Sequence, residues 1–115
     1  MQPSTLSLEF LKSLLLLLCL GISFSSVAES EFTIIIKDHL FQPAETVIPT
    51  GQKVKLHVQN QDSTAEEFES YTLHREKVIA GNSTGIVIVG PLEPGTYEFF
   101  GEFNAATAKG KLIVK

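Results

Sequence analysis

The chain has 115 residues, with 9 Lys and Arg against 13 Asp and Glu for a formal charge of −4, and it carries three His, one Cys and no Trp. That length excludes several domains, and the acidic balance excludes a protein that holds nucleic acid on a basic surface. With 43% hydrophobic and 19% charged residues it can bury a core, which excludes a disordered acidic tail.

Residues 14–20 read LLLLLCL, after Lys12 and before a run of small residues ending Ser26-Val27-Ala28. A cationic start, a short apolar stretch and small side chains three and one residues before the cut spell a secretory leader cleaved after Ala28. The apolar run is well short of the roughly 20 residues that span a bilayer, so an uncleaved anchor is disfavoured. The expected organisation is a signal peptide over 1–28 and one domain over 29–115, 87 residues long, exported to the periplasm and not integral to the membrane. Cys19 lies in the leader behind Leu18, where a bacterial lipoprotein signal wants a small side chain. The mature domain is then free of cysteine, so it forms no disulfide and has no thiolate to offer as nucleophile or metal ligand.

From Glu31 onward, β-branched and aromatic runs alternate with Gly, Pro, Asn and Asp. Residues 32–37 (FTIIIK) predict a buried strand, and 46–48 a short one before Pro49-Thr50-Gly51. Residues 53–59 (KVKLHVQ) alternate, with Val54, Leu56 and Val58 on one face and Lys53, Lys55, His57 and Gln59 on the other. Further strands are expected over 67–72, 77–79, 85–89, 96–103 and 111–114, punctuated by turn signals at 60–62, 81–83, 93–95 and 109–110. No stretch keeps an apolar stripe at helical spacing for three turns. The prediction is an all-β sandwich with Greek-key connections.

Enzyme signatures are lacking: there is no Gly-x-Ser-x-Gly elbow, phosphate-cradling Gly-rich loop, His-Glu-x-x-His helix or Cys-x-x-Cys pair. A non-catalytic protein is expected.

Phe41-Gln42-Pro43, Val47-Ile48-Pro49-Thr50-Gly51, the strand ending at Asn60, Gly90-Pro91-Leu92-Glu93-Pro94-Gly95-Thr96-Tyr97-Glu98-Phe99 and Lys109-Gly110-Lys111-Leu112-Ile113-Val114 together resemble a cupredoxin. More narrowly, Glu67-Phe68-Glu69-Ser70, His74-Arg75-Glu76-Lys77-Val78 and Phe100-Gly101-Glu102-Phe103 are similar to small periplasmic cupredoxin-like domains associated with bacterial iron uptake, the type at the front of EfeO-like proteins. The resemblance covers residues 32–114. It implies a cupredoxin-like fold and, as partners, components of a membrane iron-transport system.

The resemblance also implies where a type 1 copper site would take its two His, Cys and Met. By position, Glu66 stands at the first His, Gly101 at the Cys, Asn104 at the second His and Ala108 at the Met. None of these is the customary ligand, so no type 1 copper is expected.

Other donors are oxygen-rich. Glu66 shares parity with Phe68, which aims its carboxylate inward. A buried carboxylate is costly without a partner, so it should find a cation, a hydrogen-bond donor or a proton; a metal ion is one answer and pairing with Arg75 or Lys77 another. Glu67 and Glu69 alternate to the outer face, as ligands or as a solvated rim. Glu102 shares parity with Phe100 and Asn104, either closing a site from the opposite loop or lying solvated there. His74 sits among acids and is a further candidate; His57 is expected to be solvated and His39 is open. The candidate metal residues are therefore Glu66, Glu102, His74 and Glu67. Such a set prefers iron or Cu(II) over Cu(I). Two functions remain in view: an exported protein assisting metal handling, iron uptake above all, and a metal-free interaction module.

Overall fold

The computed structural model describes residues 30–115; the leader over 1–28 and Cys19 lie outside them. Among the described residues there are nine strands, β1 (Ser30–Lys37), β2 (Leu40–Gln42), β3 (Glu45–Ile48), β4 (Val54–Asn60), β5 (Glu66–Ser70), β6 (Arg75–Ile79), β7 (Ser83–Val89), β8 (Gly95–Gly101) and β9 (Lys109–Val114), with one 3-10 turn, Glu102–Asn104. They form a four-stranded sheet in the order β2-β1-β4-β7 and a five-stranded sheet in the order β3-β9-β8-β5-β6. The pairs β1/β4 and β3/β9 are parallel and the others antiparallel. The all-β sandwich expected from the alternation of apolar residues is what forms.

β4 shows why. Its alternate side chains Val54, Leu56, Val58 and Asn60 are buried and those between are half-buried, as a strand with one face on a core requires. Ile34, Ile36, Val87 and Val89 join the first three from the same sheet, and Phe68, Ile79, Phe99, Leu112 and Val114 face them from the other. The rings of Phe41 and Phe99 meet edge-on at 4.9 Å, and Phe68 stacks on Phe99 at 4.9 Å. Burying side chains of this size stabilises by roughly 1.5–3 kcal/mol each, so this aromatic knot anchors the end of the sandwich nearest the candidate pocket.

Two differences from the sequence-based expectation matter. Residues 40–42 form a strand, because Asp38 and His39 both take positive φ (53° and 59°) in a two-residue turn that folds β2 back on β1. The Asp62 carboxylate holds that turn, accepting the amide hydrogens of Asp38 (2.8 Å) and His39 (3.0 Å). The strand expected over 96–103 stops at Gly101, where the backbone enters the 3-10 turn.

Asn60 then sets the start of β5. Its buried amide donates to the carbonyls of Thr64, Ile79 and Ala80 and its oxygen accepts from Asp62 N. On the other side, Ser70 Oγ donates to Glu98 O (2.6 Å) and accepts from Leu73 N (3.2 Å), locking β5 to β8 and to the turn that follows it.

Candidate functional site

Between those two clamps, Glu66 opens β5 with its side chain in the core, 1% exposed. Its Oε1 accepts the amide hydrogens of Glu67 (3.0 Å) and Phe103 (2.9 Å), and its Oε2 accepts from Asn104 Nδ2 (2.7 Å). The inward parity with Phe68 is therefore as expected, but neither Arg75 nor Lys77 is the partner. Arg75 instead spends its guanidinium on carbonyls, Nε donating to Ile88 O (2.7 Å) and Nη1 to His74 O (2.9 Å).

The loop that supplies these donors closes on itself. Ala108 N donates to Asn104 O (2.9 Å) and Gly101 N to Ala108 O (2.9 Å), which brings Gly101, Asn104 and Ala108 around the Glu66 carboxylate. A Cβ built on Gly101 would stand 2.6 Å from Glu66 Cδ and 2.7 Å from Ala108 Cβ. The glycine is thus required sterically: the carboxylate fills the volume that a side chain at 101 would occupy. The four positions paired with the metal ligands by resemblance do converge in space, and here they enclose a carboxylate with each of its oxygens hydrogen-bonded.

Glu102 does not share in this. It begins the 3-10 turn, where alternation fails, and its side chain is exposed; Phe103 reaches Glu66 through its main-chain amide. His74 lies exposed in the turn after β5 with φ of 54°. His57 is bonded to Glu31 on the outer face of the four-stranded sheet (Nε2–Oε1 3.1 Å), and His39 sits 3.6 Å from Asp62. The fold does not bring the three histidines to one place.

Glu67 belongs to a different cluster. On the outer face of the five-stranded sheet it meets Glu69, two residues along β5, and Glu76, which pairs with Glu69 across β6. One carboxylate oxygen from each lies within 4.8 Å of the others, a spacing that would suit a hard cation. The hydrogen bond of Glu67 with Glu76, partial loss of water and the nearby charges of Glu76 and Glu69 push the Glu67 carboxyl up to about 7. The gathering of Glu67, Glu69 and Glu76 is visible in the sequence, and the β5/β6 register sets Glu76 opposite Glu69. At the end of the sandwich nearest Glu66, Thr107 Oγ1 donates to His39 O (2.9 Å), tying the β1–β2 turn to the loop before β9; Leu40 and Phe103, which adjoin them, are 44% and 53% exposed.

Residues 11–114 match the model of a family described as a cupredoxin-like domain. The chain is 46% identical over 84 residues, 73% of its length, to an uncharacterized protein, RP394, of Rickettsia prowazekii (strain Madrid E), of which the match covers 67%. Among solved structures it resembles auracyanin A, a blue copper protein of Chloroflexus aurantiacus, with a TM-score of 0.66 at 16% identity, over 76% of this chain and all of that one. It likewise resembles the metal-binding domain of the Cu(I)-exporting P-type ATPase CopA of Streptococcus pneumoniae D39, with a TM-score of 0.66 at 15% identity, over 81% and 92% of the two chains. At such identities the structural likeness concerns the fold.

Proposed function

The chain belongs to the cupredoxin-like domain family, and on that premise we propose that it is an exported, periplasmic, non-catalytic accessory of metal handling, with components of an iron-transport system as its partners. It works by docking and by surface contact with cations, and carries no type 1 copper. The observation that carries this reading is the Glu66 carboxylate, hydrogen-bonded by Asn104, Phe103 and Glu67 among the positions that the resemblance pairs with type 1 copper ligands.

The donor chemistry of that pocket does not fit type 1 copper. Gly101 and Ala108 offer no ligand atom and Asn104 a neutral amide, whereas a blue-copper site needs a thiolate and two imidazoles. A thiolate at 101 would also collide with Glu66. The sole cysteine, Cys19, lies in the segment read as a leader and outside the described residues. Electron transfer through a copper–thiolate bond is therefore no part of the reading.

Metal contact falls instead to Glu67, Glu69 and Glu76, whose oxygen donors suit iron or Cu(II) better than Cu(I). Docking falls to the end of the sandwich that exposes Leu40 and Phe103 around the filled pocket. Support for iron in particular comes from the resemblance of the 67–78 and 100–103 segments to iron-uptake-associated domains.

The test is uptake of radioactive iron by cells lacking this protein. Uptake at limiting iron should fall and return on complementation, and it should stay low when the returned copy carries Phe103→Asp. Unchanged uptake in the deleted strain would overturn the iron assignment. A metal-free interaction module is the second reading, favoured by the hydrogen bonds that both Glu66 oxygens accept from Glu67, Phe103 and Asn104. It predicts no retained metal after incubation with Fe(II), Cu(II) or Mn(II).

A further inference from the structure

β7 closes the four-stranded sheet: β4 lies on one side of it, and among the described residues no strand pairs with the other. With seven residues it is the longest of the four edge strands, β2, β3 and β6 having three, four and five. It contains no proline, and its outward side chains Ile86 and Ile88 are 42% and 38% exposed. A long, regular edge with apolar side chains is a template on which another strand can add.

Arg75 occupies part of that edge. The main-chain groups of an antiparallel strand alternate between its two sides, so Ile88 O, which accepts from Arg75 Nε at 2.7 Å, points away from β4. The same period turns the amides and carbonyls of Thr84 and Ile86 to the free side. Nη1 of Arg75 donates to the His74 carbonyl at 2.9 Å, which holds the guanidinium across the gap between the sheets. Arg75 belongs to β6, the edge of the other sheet, where Arg75, Lys77 and the buried Ile79 share one parity. A Cβ built on Gly85 would stand 2.7 Å from Ile79 Cγ1 and 3.6 Å from Lys77 Cγ, so the Lys77 stem also lies along β7. Two cations from β6 therefore line the free edge, and charged side chains are a common means by which sheets discourage strand addition.

The strand that fits this edge is β7 of a second copy. Antiparallel addition about a two-fold axis beside Ile86 sets Ile86 against Ile86 and Ile88 against Thr84, with every apolar side chain kept on its own face. Nothing on the outer face opposes it. Lys55 and His57 lie one strand further in, beside Ile88 and Ile86, and the two copies of His57 would stand three strand spacings apart, roughly 14 Å. On the side toward β6 the pairing is opposed: it takes the Ile88 carbonyl from Arg75 and brings Lys77 of the two copies together beside the axis.

We propose that Arg75 and Lys77 are a guard built into β6, holding the β7 edge against addition of β7 from a second copy, and that the protein pairs through that edge once they are removed.

The test is an Arg75→Thr/Lys77→Thr double variant, in which threonine keeps the preference for strand and is too short to reach the Ile88 carbonyl. In sedimentation equilibrium at about 0.15 M salt and up to about 1 mM it should associate at least about tenfold more strongly than the unmodified protein. Adding Ile86→Lys, which sets two lysines face to face on the axis, should abolish that gain. Arg75→Thr alone and Lys77→Thr alone should each show a smaller gain in the same direction, and they are read by the same criteria if the double variant loses the circular dichroism of the fold. Hydrogen exchange reads the edge without any substitution: in the unmodified protein the Ile86 amide, turned to the free side, should exchange faster than the Val87 amide, turned to β4. Folded variants that associate no more strongly than the unmodified protein, a gain that survives Ile86→Lys, or an Ile86 amide already as protected as that of Val87 would each overturn the proposal.

Discussion

Asn104 Nδ2 donates to Glu66 Oε2 across 2.7 Å, joining the loop before β9 to the first residue of β5. Two positions that are 38 apart in sequence and correspond by resemblance to metal-binding histidines are therefore bonded directly to each other. The pocket is stabilised by this pair and by two main-chain donors, so its integrity depends on a carboxylate.

Removing that acceptor leaves buried donors without partners. Glu66→Ala strands the Phe103 amide and Asn104 Nδ2 and should cost about 2–4 kcal/mol in urea unfolding. Glu66→Gln keeps an oxygen for the main-chain amides, and its amide group can donate to the Asn104 oxygen once that side chain turns over. It should cost about 1 kcal/mol. Equal losses in the two variants would count against the network.

Gly101→Ala adds a methyl group where Glu66 Cδ stands at 2.6 Å, and overpacking of this kind costs typically about 1–3 kcal/mol. In a Glu66→Ala background the obstructing carboxylate is gone, and the same substitution should cost measurably less. A double-mutant cycle on Tm reads this coupling; additivity of the two changes would show that the carboxylate is not what excludes the side chain.

The acidic face makes stability depend on pH in a direction opposite to ordinary acid denaturation. Glu67 has its carboxyl raised to about 7 from an unfolded value near 4.5, so the folded state binds the proton more tightly. Its contribution is fully present below the unfolded value and is lost as pH rises through about 7. Thermal stability should therefore decline between roughly pH 5 and 8, and Glu67→Gln should flatten that decline. Asp62 works the other way. The amide hydrogen bond from His39, foremost, holds its carboxyl below the ordinary value of 3.8, so its contribution is lost only in stronger acid. A decline of unchanged size in Glu67→Gln would remove Glu67 as its source.

Thr46 Oγ1 is the one buried side-chain polar atom without a hydrogen-bond partner among the described residues. Thr46→Val keeps the shape of the side chain and removes the unmet hydroxyl, so it should raise stability by about 1 kcal/mol, which is roughly 4–8 °C in Tm for a domain of this size. A lower Tm would mean that the hydroxyl has a partner after all.

Strand positions were legible where alternation is strong, as along β4, because one buried face imposes a period of two on the sequence. β2 was not, since Asp38 and His39 look like loop residues until the Asp62 carboxylate, more than twenty residues away, fixes their left-handed turn. The inward aim of Glu66 followed from its parity with Phe68, but its partners did not. Main-chain amides leave no mark in a sequence, and Arg75, the charge that looked available, is bonded to the Ile88 carbonyl on the opposite sheet. Of the two readings of Glu102, the solvated one is what forms, because the chain leaves the strand one residue earlier. Glu67, Glu69 and Glu76 gather in the sequence, but that Glu76 stands opposite Glu69 came only from the pairing of β5 with β6, a register that the local residue pattern does not specify.

The most direct test is a high-resolution crystal structure of the protein grown with excess Cu(II), and again with Fe(II). The account predicts that Glu66 keeps its bonds to Asn104 and to the Phe103 amide, with any bound ion lying on the Glu67, Glu69 and Glu76 face. An ion coordinated by Glu66, with Asn104 swung away from it, would contradict it.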